Sequence, residues 1–439
     1  MHIHFIGIGG IGTSALAKYY LASGHTISGS DLAQSEITDA LERGGAAITI
    51  GKHKKKHIPE ETDRVIMTSA VPKINPERKE AKQRGIALQT YPEAVGEITQ
   101  KYKTITISGA HGKSTTTALT ALVLEEGYHD PTVIIGTKLR EFGNSNFRQG
   151  RGSYLVLEAD EWNRSFLNYS PHIAVVTNID AEHLDTYKTV SAVGQAFAEY
   201  LARVPQNGKI IANADDPRLR EIGKKFRKQV VWYSLKDPEA QIVRKILSIP
   251  GEHNVSNALA ALHAGRLLGV AEPAILHALS EYRGSWRRFE WEGMFSGAYL
   301  YSDYGHHPNE IKATIAATRE RFPYRRVWCV YQPHQHRRLA YLFDEFTSAF
   351  DMADRVCLLP VYDVAGRETK TAREKANSVK LAHAVQKRGK HCWHSHSLDA
   401  GQKYIEQNIR PGDVVLMMGA GDIYGMTKTL MNSAAHSVG

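Results

Sequence analysis

The feature that most restricts how this chain can fold is a glycine-rich turn at residues 108–114, with the sequence SGAHGKS. The apolar run before it predicts a strand at 104–108, and a helix is expected to start after it. Such a turn presents backbone N–H groups to phosphate oxygens at the helix N-terminus. Lys113 can reach the outer phosphates, and Ser114 can ligate Mg²⁺. The spacing is shorter than in a standard P-loop, but the mechanics are the same, so the turn predicts ATP binding.

A second glycine-rich turn lies near the start of the chain. Residues 7–12 read GIGGIG, between a strand predicted at 2–6 and a helix predicted at 14–23. Asp31 ends a second predicted strand, about where an acidic residue binds a ribose. A nicotinamide or flavin dinucleotide and a UDP-sugar both fit this pattern, because each carries a diphosphate and a ribose. The motif alone favours a dinucleotide, whereas the chain as a whole favours a UDP-sugar.

Predicted strands and helices alternate along the chain, which indicates an α/β protein with doubly wound parallel sheets. A chain of 439 residues is too long for one core. We expect a Rossmann-like N-terminal domain at 1–100, a P-loop ATPase-like central domain at 101–285 and a Rossmann-like C-terminal domain at 286–439.

Two acidic segments follow predicted strands of the central domain, EADE at 158–161 and NIDAEH at 178–183. Carboxylates at the carboxyl ends of parallel strands beside a phosphate loop are the expected ligands of Mg²⁺. Ordinary loop acids produce the same pattern, so these segments alone leave both interpretations open.

The net charge of +9 raises the question of nucleic acid binding. Basic residues are dispersed, and the densest run, KHKKKH at 52–57, contains no aromatic residue, which favours a solvated loop. Anionic small substrates account for the excess charge. Three widely spaced cysteines fit a reducing compartment, and no apolar run reaches the roughly 18 residues of a membrane span. We expect a cytoplasmic protein without nucleic-acid or membrane partners, as a monomer or homodimer.

Taken together, the motifs resemble those of the Mur ligases, which join amino acids to peptidoglycan precursors. The resemblance rests on GAHGKST at 109–115 and on a set of further signatures in the same order: IGIGG at 6–10, GSDL at 29–32, EADE at 158–161, TNI at 177–179, HLDTY at 183–187, DYGHHP at 303–308 and QPH at 332–334. It extends from about residue 2 to residue 426 and is strongest to the alanine-adding branch. It implies a ligase that uses ATP to join L-alanine to UDP-N-acetylmuramate through an acyl phosphate, with one domain each for the UDP-sugar, ATP and the amino acid.

The resemblance also implies roles for individual residues. The catalytic residues would be Lys113, which holds the β- and γ-phosphates, Glu158, which ligates one Mg²⁺ with Ser114, and His183, which ligates a second Mg²⁺. The ATP-binding residues would be Gly109, Ala110, His111, Gly112, Lys113, Ser114, Thr115, His253, Asn254, Asn257, Arg288 and Asp303. The UDP-sugar would contact Gly9, Gly10, Ile11, Gly12, Ser30, Asp31, Ser69 and His111. The amino acid would contact Tyr304, His306, His334 and Arg338.

Two of the departures from the family pattern bear on the identity of the substrates. Residues 162–164 read WNR where the family typically has small or acidic residues, close to the sugar acid in relatives. Gln335 replaces the arginine that follows QPH, and glutamine cannot supply the charge that binds a carboxylate. Either Arg337 or Arg338 compensates, or the acceptor is not alanine.

Three alternatives follow from these motifs. One is a ligase of the same family that uses another amino acid or a peptide, as a murein peptide ligase does. Another is a UDP-sugar or ATP sensor without catalysis, which would not need the combination of Lys113, Glu158 and His183. The third is a nicotinamide dehydrogenase, although nothing after the first glycine turn calls for a hydride.

Overall fold

The computed structural model describes residues 1–182, 184–363 and 370–436, which form three α/β sheets. The chain divides into two compact units. One consists of Met1–Leu247 with Val255–Tyr282, and the other of Ser248–Asn254 with the chain from Arg283 onward. The first unit contains two of the sheets and the second unit contains the third. The predicted α/β class is therefore confirmed, while the domain boundaries at 100 and 285 stay predictions.

The first sheet has five parallel strands in the order β3-β2-β1-β4-β5. Its elements are β1 (His2–Ile6), α1 (Ile11–Ala22), β2 (Thr26–Asp31), α2 (Glu36–Arg43), β3 (Ala47–Ile50), β4 (Arg64–Met67), α3 (Pro76–Gln83), β5 (Ala87–Thr90) and α4 (Tyr91–Thr99). The strand order reverses between β1 and β4. In doubly wound sheets ligands bind at the carboxyl ends of the strands at this point, and the first glycine turn follows β1.

The helices of this sheet begin in two ways. Ser35 caps α2 by accepting a hydrogen bond from the Thr38 N–H, and Asn75 caps α3. Helix α1 begins after Gly10 without a side-chain cap. Its first N–H groups therefore face the crevice at the carboxyl end of β1, where an anion could meet them.

The second sheet has seven strands in the order β12-β11-β10-β6-β9-β7-β8, all parallel except for the β7–β8 hairpin at one edge. Its elements are β6 (Lys103–Ser108), α5 (Lys113–Glu126), β7 (Thr132–Leu139), β8 (Ser145–Arg148), β9 (Tyr154–Glu158), β10 (Ile173–Val176), α6 (Leu184–Tyr187), α7 (Val190–Leu201), β11 (Lys209–Asn213), α8 (Pro217–Gly223), β12 (Val230–Tyr233), α9 (Pro238–Ile246), α10 (Glu252–Leu267) and α11 (Glu272–Glu281). Strand β6 lies between β10 and β9. The turn after β6 is therefore flanked by the segments that follow both neighbours.

Within the first unit the two sheets share a core. A single cluster of buried apolar residues includes Phe5 and Leu16 from the first sheet layer and Leu157 and Tyr200 from the second. Asn146 of β8, which is buried, donates hydrogen bonds to the Ile11 carbonyl at 2.6 Å and to the Ser14 hydroxyl at 2.9 Å. These contacts fix the first turn of α1 against the second sheet.

The second unit contains a six-stranded sheet in the order β13-β14-β18-β15-β16-β17, parallel except for the β13–β14 hairpin. Its elements are β13 (Glu290–Phe295), β14 (Ala298–Asp303), α12 (Pro308–Arg321), β15 (Val327–Tyr331), α13 (His336–Tyr341), α14 (Phe343–Ser348), β16 (Arg355–Leu358), α15 (Lys370–Lys375), α16 (Ser378–Lys387), β17 (His391–His394), α17 (Leu398–Asn408), β18 (Val414–Met418) and α18 (Ile423–His436). Apolar clusters cover both faces of the sheet. The carboxyl ends of β14, β18 and β15 are neighbours, so the loops after them meet.

Two further properties bear on the sequence predictions. Cys329, Cys357 and Cys392 are free thiols, and all three are buried. None of the helices in the described ranges combines the length and the apolar character that crossing a bilayer requires.

Candidate active site

The first glycine turn is held by the end of the neighbouring strand β2. The Ser30 carbonyl accepts hydrogen bonds from the N–H groups of Gly7 at 2.8 Å and Ile8 at 3.1 Å. The Asp31 carboxylate accepts from the Gly9 N–H at 2.8 Å. Gly7 has a φ of +80°, which a glycine adopts without strain. The acidic residue predicted to bind a ribose therefore also shapes the turn.

The residues predicted to contact the UDP-sugar lie together. Gly9, Gly10, Ile11 and Gly12 form the turn after β1 and the start of α1, and all four are at least partly exposed. Ser69 lies just beyond β4, on the other side of β1 from Ser30. The switch point of the first sheet thus gathers these predicted residues, while the eighth, His111, belongs to the phosphate loop of the second sheet.

The phosphate loop turns tightly between β6 and α5. Gly109 and Gly112 have φ values of +134° and +83°. A Cβ on Gly109 would lie 2.1 Å from the Thr177 hydroxyl, so only glycine fits there. Gly112 precedes the first residue of α5 without a side-chain cap. The loop therefore directs the N-terminal N–H groups of α5 outward, as phosphate binding requires.

Lys113 is held by the loop and by a buried carboxylate. Its ammonium group lies 2.6 Å from the Gly109 carbonyl oxygen and 3.1 Å from Glu161 Oε2. The side chain of Glu161 is only 1% exposed, and that of Lys113 is 12% exposed. Burial by itself lowers the pKa of Lys113, but the carboxylates of Glu161, Asp160 and Glu158 outweigh it and raise the pKa above its ordinary value. Lys113 is therefore a permanent cation in the loop.

Ser114 and Glu158 provide neighbouring oxygen atoms. The Ser114 hydroxyl donates to Glu158 Oε1 at 3.1 Å, and Glu158 Oε2 accepts the Gly136 N–H at 2.7 Å. A hydroxyl and a carboxylate side by side form the hard oxygen donor set that Mg²⁺ prefers, so these two residues fit the predicted metal site. His183, the predicted ligand of a second Mg²⁺, lies outside the described residues.

The segment after β10 braces the other side of the loop. The His111 N–H donates to Asn178 Oδ1 at 2.8 Å, and the Thr177 hydroxyl donates to the His111 carbonyl at 2.6 Å. The His111 side chain lies 3.1 Å from the Asp180 carboxylate. The sequence left open whether this acidic segment ligates metal or is an ordinary loop, and in the structure Asn178 and Asp180 both contact the phosphate loop.

Three of the predicted ATP-binding residues, His253, Asn254 and Asn257, lie at the start of α10. A Cβ on Gly112 would lie 2.2 Å from Asn257 Oδ1, so Asn257 packs directly on the phosphate loop. Asn254 is buried and donates to the Pro250 carbonyl at 2.7 Å, whereas the His253 side chain is exposed. Of the three, Asn257 belongs to the first unit and contacts the loop there, whereas His253 and Asn254 belong to the second unit.

Arg288 and Asp303, the remaining predicted ATP residues, belong to the second unit. Asp303 accepts the N–H groups of Gly305 at 2.7 Å and Phe289 at 2.9 Å. Burial raises its pKa, although the positive charge of Arg288 acts in the opposite direction. Arg288 lies over the Tyr304 ring at 5.1 Å and 3.8 Å from Glu310. Both residues shape the loop after β14.

Three of the four predicted amino-acid residues form one aromatic group. Tyr304 and His306 meet edge to face with ring centroids 5.5 Å apart, and His306 and His334 are 6.0 Å apart. His334 also stacks on Tyr362 at 5.4 Å. Arg338 lies in α13, which begins after Gln335, and is half-buried, whereas Arg337 is exposed. Of the two arginines, Arg338 is thus the better placed to compensate for Gln335.

Several site residues were not predicted. Arg287, with only 7% exposure, lies 4.9 Å from the centroids of the Tyr304 and Tyr424 rings and donates to the Gly419 carbonyl. It thereby joins the loops after β14 and β18. Glu161 was visible in the acidic EADE run and Tyr304 in the DYGHHP signature, but no signal in the sequence linked Arg287 to Tyr424.

Comparison with known proteins places the chain in a family. It matches the models of the Mur ligase family catalytic domain over residues 2–103, the Mur ligase middle domain over 107–248 and the Mur ligase glutamate ligase domain over 287–421. It is 38% identical to the UDP-N-acetylmuramate–L-alanine ligase of Pelotomaculum thermopropionicum, over 96% of this chain and 95% of the relative. The ligase of the same name from Clostridium beijerinckii is 36% identical with the same coverage.

Solved structures agree with this placement. The UDP-N-acetylmuramate-alanine ligase of Thermotoga maritima is 26% identical, covers 100% of both chains and has a TM-score of 0.84. A murein peptide ligase from Psychrobacter arcticus shares the fold at 23% identity, covering 99% of this chain and 98% of its own, with a TM-score of 0.71. The predicted three-domain α/β architecture is therefore confirmed. The family matches extend over most of the chain, and it belongs to the Mur ligase family.

Proposed function

We infer that this protein is an ATP-dependent ligase that joins L-alanine to UDP-N-acetylmuramate in the synthesis of peptidoglycan precursors. The observation that carries this inference is the phosphate loop, where Lys113, Ser114 and Glu158 meet beside the N-terminus of α5. Relatives 36% and 38% identical over nearly the whole chain bear the name of this ligase. ATP is thus the co-substrate, and the phosphate loop of the second sheet would bind it.

We propose that the UDP-sugar binds at the switch point of the first sheet. The diphosphate would meet the turn formed by Gly9, Gly10 and Ile11, with Ser30 and Asp31 on one side and Ser69 on the other. This position suits an anion because the start of α1 lacks a side-chain cap. The carboxylate of the sugar's lactyl group would then extend towards the phosphate loop and His111.

Ser114 and Glu158 would hold one Mg²⁺ ion, and the resemblance assigns a second ion to His183. Bound Mg²⁺ supplies charge neutralisation for the phosphates. The protein's own cation at this point is Lys113, whose position between carbonyl oxygens and Glu161 is fixed before any substrate arrives. A preset cation stabilises the charge that develops on the transferring phosphoryl group without reorganisation.

The proposed reaction has two steps. A carboxylate oxygen of UDP-N-acetylmuramate attacks the γ-phosphorus of ATP, the bond to the bridging oxygen breaks, and ADP leaves an acyl phosphate behind. The amine of alanine then attacks the acyl carbon, loses a proton and expels inorganic phosphate, which forms the amide. The protein contributes positioning and electrostatics in both steps.

We propose that Tyr304, His306, His334 and Arg338 bind the amino acid. Arg338 would take over the carboxylate that the missing arginine at position 335 binds in relatives. A ready-made peptide as the acceptor is not favoured, since the likeness to a murein peptide ligase at 23% identity is one of fold, whereas the more similar relatives are alanine ligases. Buried free cysteines are in keeping with work in the reducing cytoplasm, and we keep a monomer or homodimer as the proposed assembly.

The test is phosphate release from ATP and Mg²⁺ with UDP-N-acetylmuramate and a panel of single amino acids and a tripeptide. We expect release that requires both the sugar and L-alanine. It should vanish in Lys113→Ala and persist in Lys103→Ala, which removes an exposed lysine at the start of β6, the strand that leads into the phosphate loop. Release with glycine, serine or the tripeptide instead of alanine would show that alanine is not the acceptor. ATP binding without phosphate release would contradict the ligase activity.

A further inference from the structure

A buried carboxylate, to which the proposed reaction assigns no role, lies behind the first glycine turn. Glu77, in the first turn of α3, is fully buried. Its Oε2 accepts hydrogen bonds from the Ser30 hydroxyl at 2.8 Å and from His4 Nε2 at 2.9 Å. Its Oε1 lies 2.7 Å from His53 Nδ1 and 3.2 Å from His57 Nδ1. Four side chains therefore converge on one carboxylate.

The histidines keep this carboxylate ionised inside the protein. His4 is buried, and its Nδ1 lies 2.8 Å from the Ser28 hydroxyl, which in turn lies 2.9 Å from His2 Nε2. The hydrogen bonds can all run in one direction, with His2 donating to Ser28, Ser28 to His4 and His4 to Glu77. Burial by itself raises the pKa of Glu77, but the hydrogen bonds from His4, Ser30 and His53 outweigh it and lower the pKa.

The partner that gives Glu77 a role is Ser30. The side chain of Ser30 is bound by Glu77, and its carbonyl oxygen receives the N–H groups of Gly7 and Ile8. The next residue, Asp31, receives the Gly9 N–H. Ser30 and Asp31 thus hold three successive amides of the glycine turn. Glu77 in turn holds the side chain of Ser30. An ionised acceptor makes a stronger hydrogen bond than a neutral one, so the anchor is stiff.

We propose that Glu77 is a positioning residue for the UDP-sugar, which sets the Ser30–Asp31 pair and, through it, the turn that receives the diphosphate. This inference rests on the proposed placement of the UDP-sugar at that turn. Glu77 does not touch the ligand; it acts by holding the turn in the shape that the diphosphate requires. A small displacement of such a turn weakens substrate binding and leaves chemistry at the phosphate loop unchanged.

The experiment measures KM for UDP-N-acetylmuramate, KM for ATP and kcat in Glu77→Gln, which keeps the size of the side chain and removes its charge. We expect KM for the UDP-sugar to rise roughly tenfold or more, as for the loss of a charge-assisted hydrogen bond, with KM for ATP and kcat within about twofold of wild type. The matched control is Glu80→Gln on the same helix, because Glu80 is partly exposed and lies 3.8 Å from Lys55. Its three constants should stay at the wild-type values.

Ser30→Ala removes the same hydrogen bond from the other side and covers the case in which Glu77→Gln does not fold. It should raise KM for the UDP-sugar in the same way, and the double variant should be no worse than the more impaired single variant, because both lose one contact. An unchanged KM in Ser30→Ala, or equal rises in both KM values in Glu77→Gln, would overturn the proposal.

A reference variant separates this inference from the proposed function. In Gly9→Ala the new Cβ would lie 2.9 Å from Asp31 Oδ2, so the Asp31 carboxylate that holds the turn, or the turn itself, must shift. If Gly9→Ala raises KM for the UDP-sugar and Glu77→Gln does not, the proposed role of Glu77 is wrong. The proposed placement of the UDP-sugar is then retained. If Gly9→Ala also leaves this KM unchanged, the placement of the UDP-sugar is wrong.

Discussion

Ser114 shows how a single side chain in the phosphate loop combines two functions. Its backbone belongs to the first turn of α5, where N–H groups meet phosphate, and its hydroxyl donates to Glu158. Glu158 is fixed in turn by the Gly136 N–H of β7. Helix α5 and strands β9 and β7 therefore set the distance between the two oxygen donors. Removal of the Ser114 hydroxyl leaves the other ligand, Glu158, in place.

Ser114→Ala should raise the Mg²⁺ concentration at half-maximal activity by about tenfold or more, because a metal site with one oxygen ligand fewer binds more weakly. Ser114→Thr keeps the hydroxyl and should retain the wild-type dependence. The measurement is phosphate release during a Mg²⁺ titration at saturating substrates. Identical titration curves for Ser114→Ala and wild type would remove Ser114 from the metal site.

His4 links the stability of the first sheet to pH. Burial lowers its pKa below the ordinary 6.5, although its hydrogen bond to Glu77 acts in the opposite direction. Below pH 6.5 the unfolded chain binds a proton at this position that the folded protein still rejects. Stability is therefore complete above pH 6.5 and decreases as the pH falls from 6.5 towards the lowered pKa.

The free energy of unfolding, measured with urea at pH 7.5 and pH 5.5, should fall less in His4→Gln than in wild type. His25→Gln tests the same linkage at a second position, since burial also lowers the pKa of His25, and it should reduce the fall as well. A fall in His4→Gln as large as that of wild type would show that other groups carry the acid sensitivity.

At the scale of elements, the position of α1 depends on a strand that belongs to another sheet. Asn146 donates to the Ile11 carbonyl and the Ser14 hydroxyl, and its own oxygen accepts from Lys18 at 2.8 Å. All three partners lie on α1. The glycine turn is therefore held from β2 on one side and from β8 on the other.

Asn146→Ala should lower the free energy of unfolding by about 2–3 kcal/mol, because buried polar partners lose their hydrogen bonds. The measurement is urea unfolding followed by circular dichroism. Gln149→Ala serves as the control, since Gln149 follows the same strand, is exposed and bonds only its neighbour's carbonyl among the described contacts. Its effect should stay within about 0.5 kcal/mol of wild type. Equal stabilities of both variants would contradict this role of Asn146.

Elements of the central strand–turn–helix units could be predicted from the sequence, whereas the edge strand β8 could not. The strand predicted at 2–6 has the predicted bounds, and the strand predicted at 104–108 begins one residue earlier, at Lys103, because buried strands leave continuous apolar runs. Strand β8, with the sequence SNFR, has no such run. It exists because β7 supplies antiparallel partners, and a partner in another segment leaves no mark on the local pattern.

The candidate site divides in the same way. The two glycine turns carry their chemistry in consecutive residues, so Lys113, Ser114 and Gly9 could be named from the sequence. Glu77 could not, because its helix reads PERKEAKQ, the pattern of a solvated face. Its burial comes from Ser30 and His4, which are 47 and 73 residues away in the chain.

The whole molecule carries an excess of positive charge that suits its proposed substrates. Lysine and arginine number 55 against 46 acidic residues. ATP and a UDP-sugar are both polyanions, and a positive protein concentrates them near its surface. Salt screens this attraction over roughly 10 Å at an ionic strength of about 0.1 M.

The ratio kcat/KM for each nucleotide substrate should fall several-fold between about 50 mM and 300 mM KCl, with kcat nearly constant, because screening affects encounter and not chemistry. Initial rates at both salt concentrations measure it. Sucrose at matched osmolality controls for water activity and should have little effect. A fall of kcat with KM unchanged would contradict the electrostatic explanation.

The contact between Gly112 and Asn257 has a consequence for the evolution of this chain. The two positions are far apart in sequence, yet a side chain on one would occupy the space of the other. Selection therefore acts on them as a pair. In an alignment of descendants, a larger residue at 112 should appear only together with a smaller one at 257. Changes in the phosphate loop should therefore be accompanied by changes in α10, a helix outside the loop.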